Sequence, residues 1–320
     1  MMKNLMMYFW RAVGAFDKFF FEFSAPLSVA GFRIMFGTTL LINVVLRMMH
    51  TEYYFTDAGG ISAADAATLL PDFFRPAFYW MPTSLAAAWI MQSVMAAALV
   101  AFTLGIFGRI GTRITSLVIL FCHLGLLQRN FSIVYGADMV SSFWCFGFCF
   151  VDSTERLSLR SRWQNRKDSW RTVEPDWSRI LTSMGVRLMQ IQLCVIYMYT
   201  GFEKLKGGDW WDQTAVWKVL GNEQLMLADL SFLRAVPLVI GLATWGTVLF
   251  EVYCPLLFWG KKTSRWTILA GWSLHIGIAL TMGLFIFSLT MMSAYWLFLE
   301  PQIIQNGLAK FSHRRLRTAV

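Results

Sequence analysis

Long apolar runs separated by short polar segments dominate this 320-residue chain. Crossing a ~30 Å hydrocarbon core takes about 20 helical residues. Runs of that kind predict spans at Ala25–Met48, Thr83–Phe107, Ile114–Leu127, Ser132–Val151, Met184–Thr200, Ala235–Trp259, Trp266–Met282 and Leu284–Leu299. The third, fifth and last two are short, which predicts little tilt, extension into the interface or partial re-entry. Only Gly283 separates the last two, so they form a tight hairpin or one broken helix. The predicted fold class is all-α, a polytopic integral membrane helical bundle of about eight transmembrane helices, because a helix satisfies its own backbone polar groups without water.

Between and before the spans the pattern changes character. Residues 1–22 mix Phe9, Trp10, Phe16, Phe19 and Phe20 with Lys3, Arg11, Asp17 and Lys18, which predicts an amphipathic helix lying on the membrane rather than a cleaved signal peptide. The transmembrane region then covers residues 23–300. It includes a polar inner segment at 152–183 and long outer loops at 49–82 and 201–234, of a length that often carries function. Residues 301–320 read as a basic cytoplasmic tail. With the N-terminus inside, the inner segments hold nineteen of the 28 Lys and Arg residues and the outer segments and span ends hold seven, with Arg33 and Arg187 inside spans. That asymmetry predicts both termini in the cytoplasm, and eight spans give the required parity.

Composition narrows the class further. Charged residues are only 15% of the chain and hydrophobic residues 57%, whereas a soluble domain carries about 25% charged residues. The net charge of +9 could suggest a nucleic-acid partner. Its Lys and Arg residues instead punctuate apolar runs, without zinc-finger spacing or a stacking platform, so no nucleic acid is expected and the lipid bilayer is the partner. The five cysteines (Cys122, Cys145, Cys149, Cys194, Cys254) all fall inside predicted spans with no ligand spacing, so neither a metal nor a structural disulfide is expected. Absence of an internal repeat weakens a transporter reading.

Ionisable residues inside a span are expensive and mark function or structure. Arg33, Glu251, His123 and His275 fall about eight to ten residues from the inner ends of their predicted spans, a comparable depth of ~12–15 Å. Arg33 and Glu251 are predicted to form a buried charge pair, since buried charges are normally matched; a quinone- or proton-handling site is the sharper alternative. On the fifth span Tyr197, Thr200, Gly201 and Lys204 share one helix face, and Gly207-Gly208 ends the helix. A lysine at a helix end ordinarily snorkels to water. One that faces a bundle interior becomes available as a base, because desolvation favours the neutral amine.

These residues carry a family resemblance. The segments are Ala30-Gly31-Phe32-Arg33-Ile34-Met35-Phe36-Gly37, Leu104-Gly105-Ile106-Phe107-Gly108-Arg109-Ile110 and Asn130-Phe131-Ser132-Ile133-Val134-Tyr135-Gly136. They continue with Thr200-Gly201-Phe202-Glu203-Lys204-Leu205 leading to Asp209-Trp210, then Leu249-Phe250-Glu251 and Leu274-His275-Ile276-Gly277. In order and spacing they resemble the HTTM (horizontally transferred transmembrane) family, whose best-known member is the vitamin K-dependent γ-carboxylase, from about Asp17 to Pro301. The resemblance implies an outer-side active site that uses reduced quinone (vitamin K-like) as cofactor and a peptide or protein as substrate. It implies that Lys204 matches the base lysine, with Tyr197, Asp138, Asn130 and His275 as candidate pocket residues. The bacterial look of the short chain implies the inner membrane.

The departures matter equally. Phe131 stands where the carboxylase has a supporting histidine, and losing one donor to a developing oxyanion typically costs about 10²–10³ in rate. The chain runs about twenty residues past its last apolar run, so the carboxylase's large lumenal domain is not expected and neither is carboxylation of clotting-type proteins. Two functions follow: a quinone-linked epoxidase or carboxylase-like enzyme, and a non-enzymatic accessory for peptide maturation, export or immunity.

Overall fold

The computed structural model describes residues 2–22, 25–69, 82–165, 176–222, 227, 229–307 and 309. Residues 166–175 of the segment predicted to be inner, residues 70–81 of the loop predicted to be outer, and the tail beyond 309 therefore lie outside the described residues. Among those described, every regular element is helical. The chain divides into two compact units, Met1–Met189 and Gln190–Val320.

The first unit contains α1 (Met2–Phe21), α2 (Pro26–Met48), α3 (Thr51–Phe55), α4 (Ala63–Leu69), α5 (Leu85–Leu104), α6 (Gly108–Arg129), α7 (Gly136–Phe148), α8 (Leu159–Asn165) and the first half of α9 (Asp176–Leu205). Local sequence explains several ends. Pro26 opens α2, where a missing N–H costs nothing. Ser84 caps α5, its hydroxyl accepting from the Ala87 amide at 3.2 Å. Gly105 closes α5 at φ +64°, a left-handed conformation that an L side chain resists. A Cβ there would also approach the Ser158 side chain at 2.6 Å and the Arg33 guanidinium at 3.0 Å.

An aromatic cluster fills the interior of this unit. Phe32 of α2 packs on Trp144 and Phe148 of α7 at 5.7 and 4.9 Å, and Phe148 meets Phe102 of α5 at 5.0 Å. Gly37 lets α2 approach Thr103 closely, the small-residue device that membrane helices use where lipid supplies no hydrophobic drive to associate. On the far face of α6, Ile110, Ile114, Leu117, Phe121 and Leu124 are exposed. Amphipathic α1 leaves Met6, Phe9, Trp10 and Phe16 exposed, and Arg187 of α9 ties its end by donating to the Phe19 carbonyl at 2.9 Å and lying 4.1 Å over its ring.

The second unit contains the rest of α9, then α10 (Gly208–Trp211), α11 (Ala215–Leu220), α12 (Pro237–Leu257), α13 (Ser264–Met282) and α14 (Phe285–Ala294), which runs on as a tighter 3-10 turn over Tyr295–Phe298. Gly283 reverses the chain at φ +70°. Ser264 bonds the Phe298 carbonyl, His275 packs on Phe287, and Tyr295 lies against Gly271, so α13 and α14 form the tight hairpin. On α12, Leu238, Leu242, Leu249 and Leu256 are exposed, whereas Thr244, Val248, Glu251 and Cys254 are buried.

Among the described residues, five helices are long and apolar enough to cross a membrane: α2, α5, α6, α9 and α12. The remaining three predicted spans are helical but differ. The run at Ser132–Val151 folds as a 3-10 turn followed by the 13-residue α7, α13 is diluted by Arg265, His275 and two indoles, and Phe285–Phe298 is short. Conversely, the predicted Ile114–Leu127 and Met184–Thr200 extend to 22 and 30 residues. Apolar runs mark what hydrocarbon tolerates, whereas backbone hydrogen bonding continues into charged flanks.

Candidate functional site

The nominated residues fall into one group per unit. In the first, α6 ends on Arg129, fully buried, which donates to Asp57 at 2.8 Å and to the Ile61 carbonyl at 2.9 Å. Asn130 follows; its amide donates to the Tyr54 carbonyl at 2.9 Å, and its oxygen accepts from the Ser132 amide and hydroxyl at 3.2 and 2.6 Å. Both ends of the Asn130 side chain are thus engaged, the amide tying segment 54–61 to the end of α6 and the oxygen capping the turn that follows, while Phe131 is exposed. Asp138 sits at the third position of α7. One carboxylate oxygen accepts from Arg47 at 2.8 Å and from the Tyr135 amide at 3.3 Å, so it also caps its helix. The other, Oδ1, is buried with no hydrogen-bond partner. His123, also buried, donates Nε2–H to the Asp138 carbonyl at 3.1 Å. An open hollow of about 490 Å³ in this unit is lined by Met48, His50, Tyr53, Leu85 and Trp89 among others, and by none of the nominated residues.

Arg33, fully buried in α2, finds carbonyl partners within the first unit. Its guanidinium donates to the Ser153 carbonyl and to the Leu157 carbonyl, the latter at 2.6 Å. In the second unit, Glu251 pairs with Lys204 at 2.6 Å. Similar depth along a sequence does not specify adjacency, and a guanidinium, with five donors, is as well satisfied by carbonyls as by a carboxylate.

The second unit assembles the other candidates. α9 carries Tyr197 and Lys204 two turns apart on one face. It crosses α12 obliquely: the Cys194 thiol meets the Pro255 carbonyl, Gly201 lies against Val252, and Lys204 reaches Glu251. Glu251 is fourteen residues into α12, or ~21 Å along its axis from Pro237. The lysine at the last turn of α9 is therefore alongside the C-terminal half of α12, rather than at its Pro237 end. α10 and the turn after it lie along the N-terminal half: Trp211 packs on Trp245 at 5.3 Å, and the Gln213 carbonyl accepts from Thr244 at 3.4 Å. The Lys204 and Glu251 side chains are 22% and 11% exposed, and the ammonium lies 5.3 Å from the Trp210 ring centre. Lys206, two residues on, bonds Glu203 in full solvent, and this bond raises its ammonium above the ordinary lysine range.

Next to the pair is a buried polar cluster. The Tyr197 hydroxyl bonds His275 Nε2 at 2.7 Å and the Tyr295 hydroxyl. Phe250 and Phe258 of α12 pack on Tyr197 at 5.5 and 6.4 Å. Tyr295 and Asp57 are functional-looking partners that sequence reasoning missed. A signal for Tyr295 exists: Gly271 and His275 share a face of α13, leaving a notch that a bulky side chain from the returning helix must fill. Among the described residues no group of His, Cys, Asp and Glu could hold a metal, and all five cysteines are free.

Comparison with known proteins adds two similarities. A family model described as the HTTM domain matches residues 21–302. An uncharacterized protein, YitO of Bacillus subtilis (strain 168), is 25% identical over 182 residues, 55% of this chain and 57% of that relative; the match thus spans just over half the length of each. No solved structure matches.

Proposed function

Because this chain belongs to the HTTM domain family, we propose that it is a membrane enzyme of vitamin K-carboxylase type. It binds a reduced quinone and uses Lys204, coupled to Glu251, as the base that removes the quinol proton. The observation that carries this reading is the Lys204–Glu251 pair, 2.6 Å apart and partly buried beside the C-terminal half of α12. A snorkelling lysine would point to water, as Lys206 does. Glu251, 2.6 Å away, is close enough to exchange a proton with the Lys204 amine during such a step. Tyr197 and His275 supply buried polar groups among the rings of Phe250, Phe258 and Phe287, and Asp138 Oδ1 is an acceptor without a partner among the described residues in the first unit.

Eight spans with both termini inside, in a bacterial inner membrane, complete the proposal; what supports it is the charge asymmetry of the sequence and the eight helical runs. Incubation of purified protein with reduced vitamin K and oxygen is expected to yield epoxide, and Lys204→Ala is expected to lower the rate at least a hundredfold. Equal epoxide from both proteins, or none from either, sinks the reading.

A second reading has its own support. Asn130 is consumed in tethering the outer segment, and Phe131 offers no donor. Both fit a non-enzymatic accessory that handles a small peptide during maturation, export or immunity.

A further inference from the structure

The buried Tyr295–Tyr197–His275 cluster has a direction that its hydrogen inventory fixes. Three groups share two bonds, and the Tyr197 hydroxyl takes part in both. Each tyrosine has one proton, and a neutral imidazole has one N–H and one acceptor nitrogen. If His275 donated from Nε2, Tyr197 would pass its proton to Tyr295. The Tyr295 proton would then have no acceptor among the described residues, and Nδ1 would be an unmatched acceptor as well. If both neighbours donated to Tyr197, the proton of Tyr197 itself would be stranded. Only the order Tyr295 to Tyr197 to His275 Nε2 uses both hydroxyl protons. It leaves a single orphan, the N–H at His275 Nδ1, which has no hydrogen-bond partner among the described residues although His275 is 2% exposed.

An unmatched buried donor costs about 1–3 kcal/mol, so native proteins usually supply an acceptor. The imidazole stands 5.7 Å from the Phe287 ring, and Phe250 and Phe258 wall the rest of the cluster. An apolar molecule with one oxygen acceptor suits that setting better than an anion does, since neutral donors pair with carbonyls at little desolvation cost.

We propose that Tyr295 and Tyr197 set the tautomer of His275, so that its Nδ1–H donates to a ring oxygen of a quinone or quinol ligand. This rests on the quinone reading above. His275 is then a binding residue, and Tyr197 and Tyr295 are positioning residues. The same logic recurs wherever one ring nitrogen's partner decides what the other can do.

The test uses full-length protein in lipid nanodiscs, labelled with ¹⁵N-histidine; the chain has only four histidines, so His275→Asn assigns its signal by loss. Long-range ¹⁵N–¹H correlation is expected to show Nδ1 protonated and Nε2 bare in the wild type. Tyr295→Phe is expected to keep that tautomer, because Tyr197 still donates, whereas Tyr197→Phe releases it to a mixture. A short-chain 1,4-naphthoquinone is expected to shift the Nδ1 signal and to bind about three- to tenfold more weakly to His275→Phe by tryptophan quenching. A protonated Nε2 in the wild type overturns the proposal. Naphthoquinone binding that leaves Nδ1 unmoved also overturns it, leaving a buried water as the acceptor and the quinone reading intact. Absence of any naphthoquinone binding overturns the quinone reading itself, and with it the proposed ligand.

Discussion

Arg33 has no exposed surface, and its guanidinium spans two carbonyls of the segment that follows α7. One of them belongs to Leu157, which sits at φ +51°, a region costly to a branched side chain. The arginine therefore holds a strained turn in place, and Arg33→Ala strands one buried and one partly buried acceptor. Hydrogen bonds from charged donors contribute about 1.5–3 kcal/mol each, so this variant is expected to lose roughly 3 kcal/mol or more in reversible unfolding in mixed micelles. Arg33→Lys should restore less than half, since one compact ammonium cannot bridge both oxygens; full restoration would refute the bridging role. The sequence marked Arg33 and Glu251 as special because ionised groups in apolar runs are expensive, and that much was legible. Their partners were not, since a carbonyl carries no sequence signature and Lys204 was expected at the outer end of its helix.

Helices were legible as apolar runs, and their ends less so. The runs that became α6 and α9 stop well inside the final helices, because Gly108, Arg113, Trp177 and Arg179 continue the backbone pattern without adding hydropathy. Where chemistry dictates an end, as at Ser84, Gly105, Gly207-Gly208 and Gly283, the reading is much closer. Gly105 is the sharpest of these, since it needs both a left-handed backbone and room beside Arg33. Gly105→Ala is expected to cost about 1–2 kcal/mol for the conformation, with more from the contact at Ser158. Faster hydrogen exchange across residues 153–161 than in wild type would check it; unchanged exchange there would show that the turn does not depend on this glycine.

At the scale of the whole chain, orientation is the most accessible expectation. In a background with the native cysteines replaced, Lys3→Cys and Ala309→Cys are expected to react with an impermeant maleimide only from the cytoplasmic face. Lys218→Cys should react only from the opposite face. Labelling of the two ends from opposite sides would require an odd number of crossings and discard the eight-span arrangement. The placement of Lys204 and Glu251 about 21 Å along α12 from Pro237 has a further consequence. On the proposed quinone reading, with α10 and its turn packed along the Pro237 half of that helix, the ligand is expected to reach this pair through the lipid rather than from the aqueous phase. Its effective concentration is then set by partitioning. Lengthening an isoprenoid tail enriches the ligand in the bilayer by about 0.8 kcal/mol for each buried methylene, which raises occupancy without adding a single contact to the protein. Affinities for such ligands are meaningful only as mole fractions in lipid.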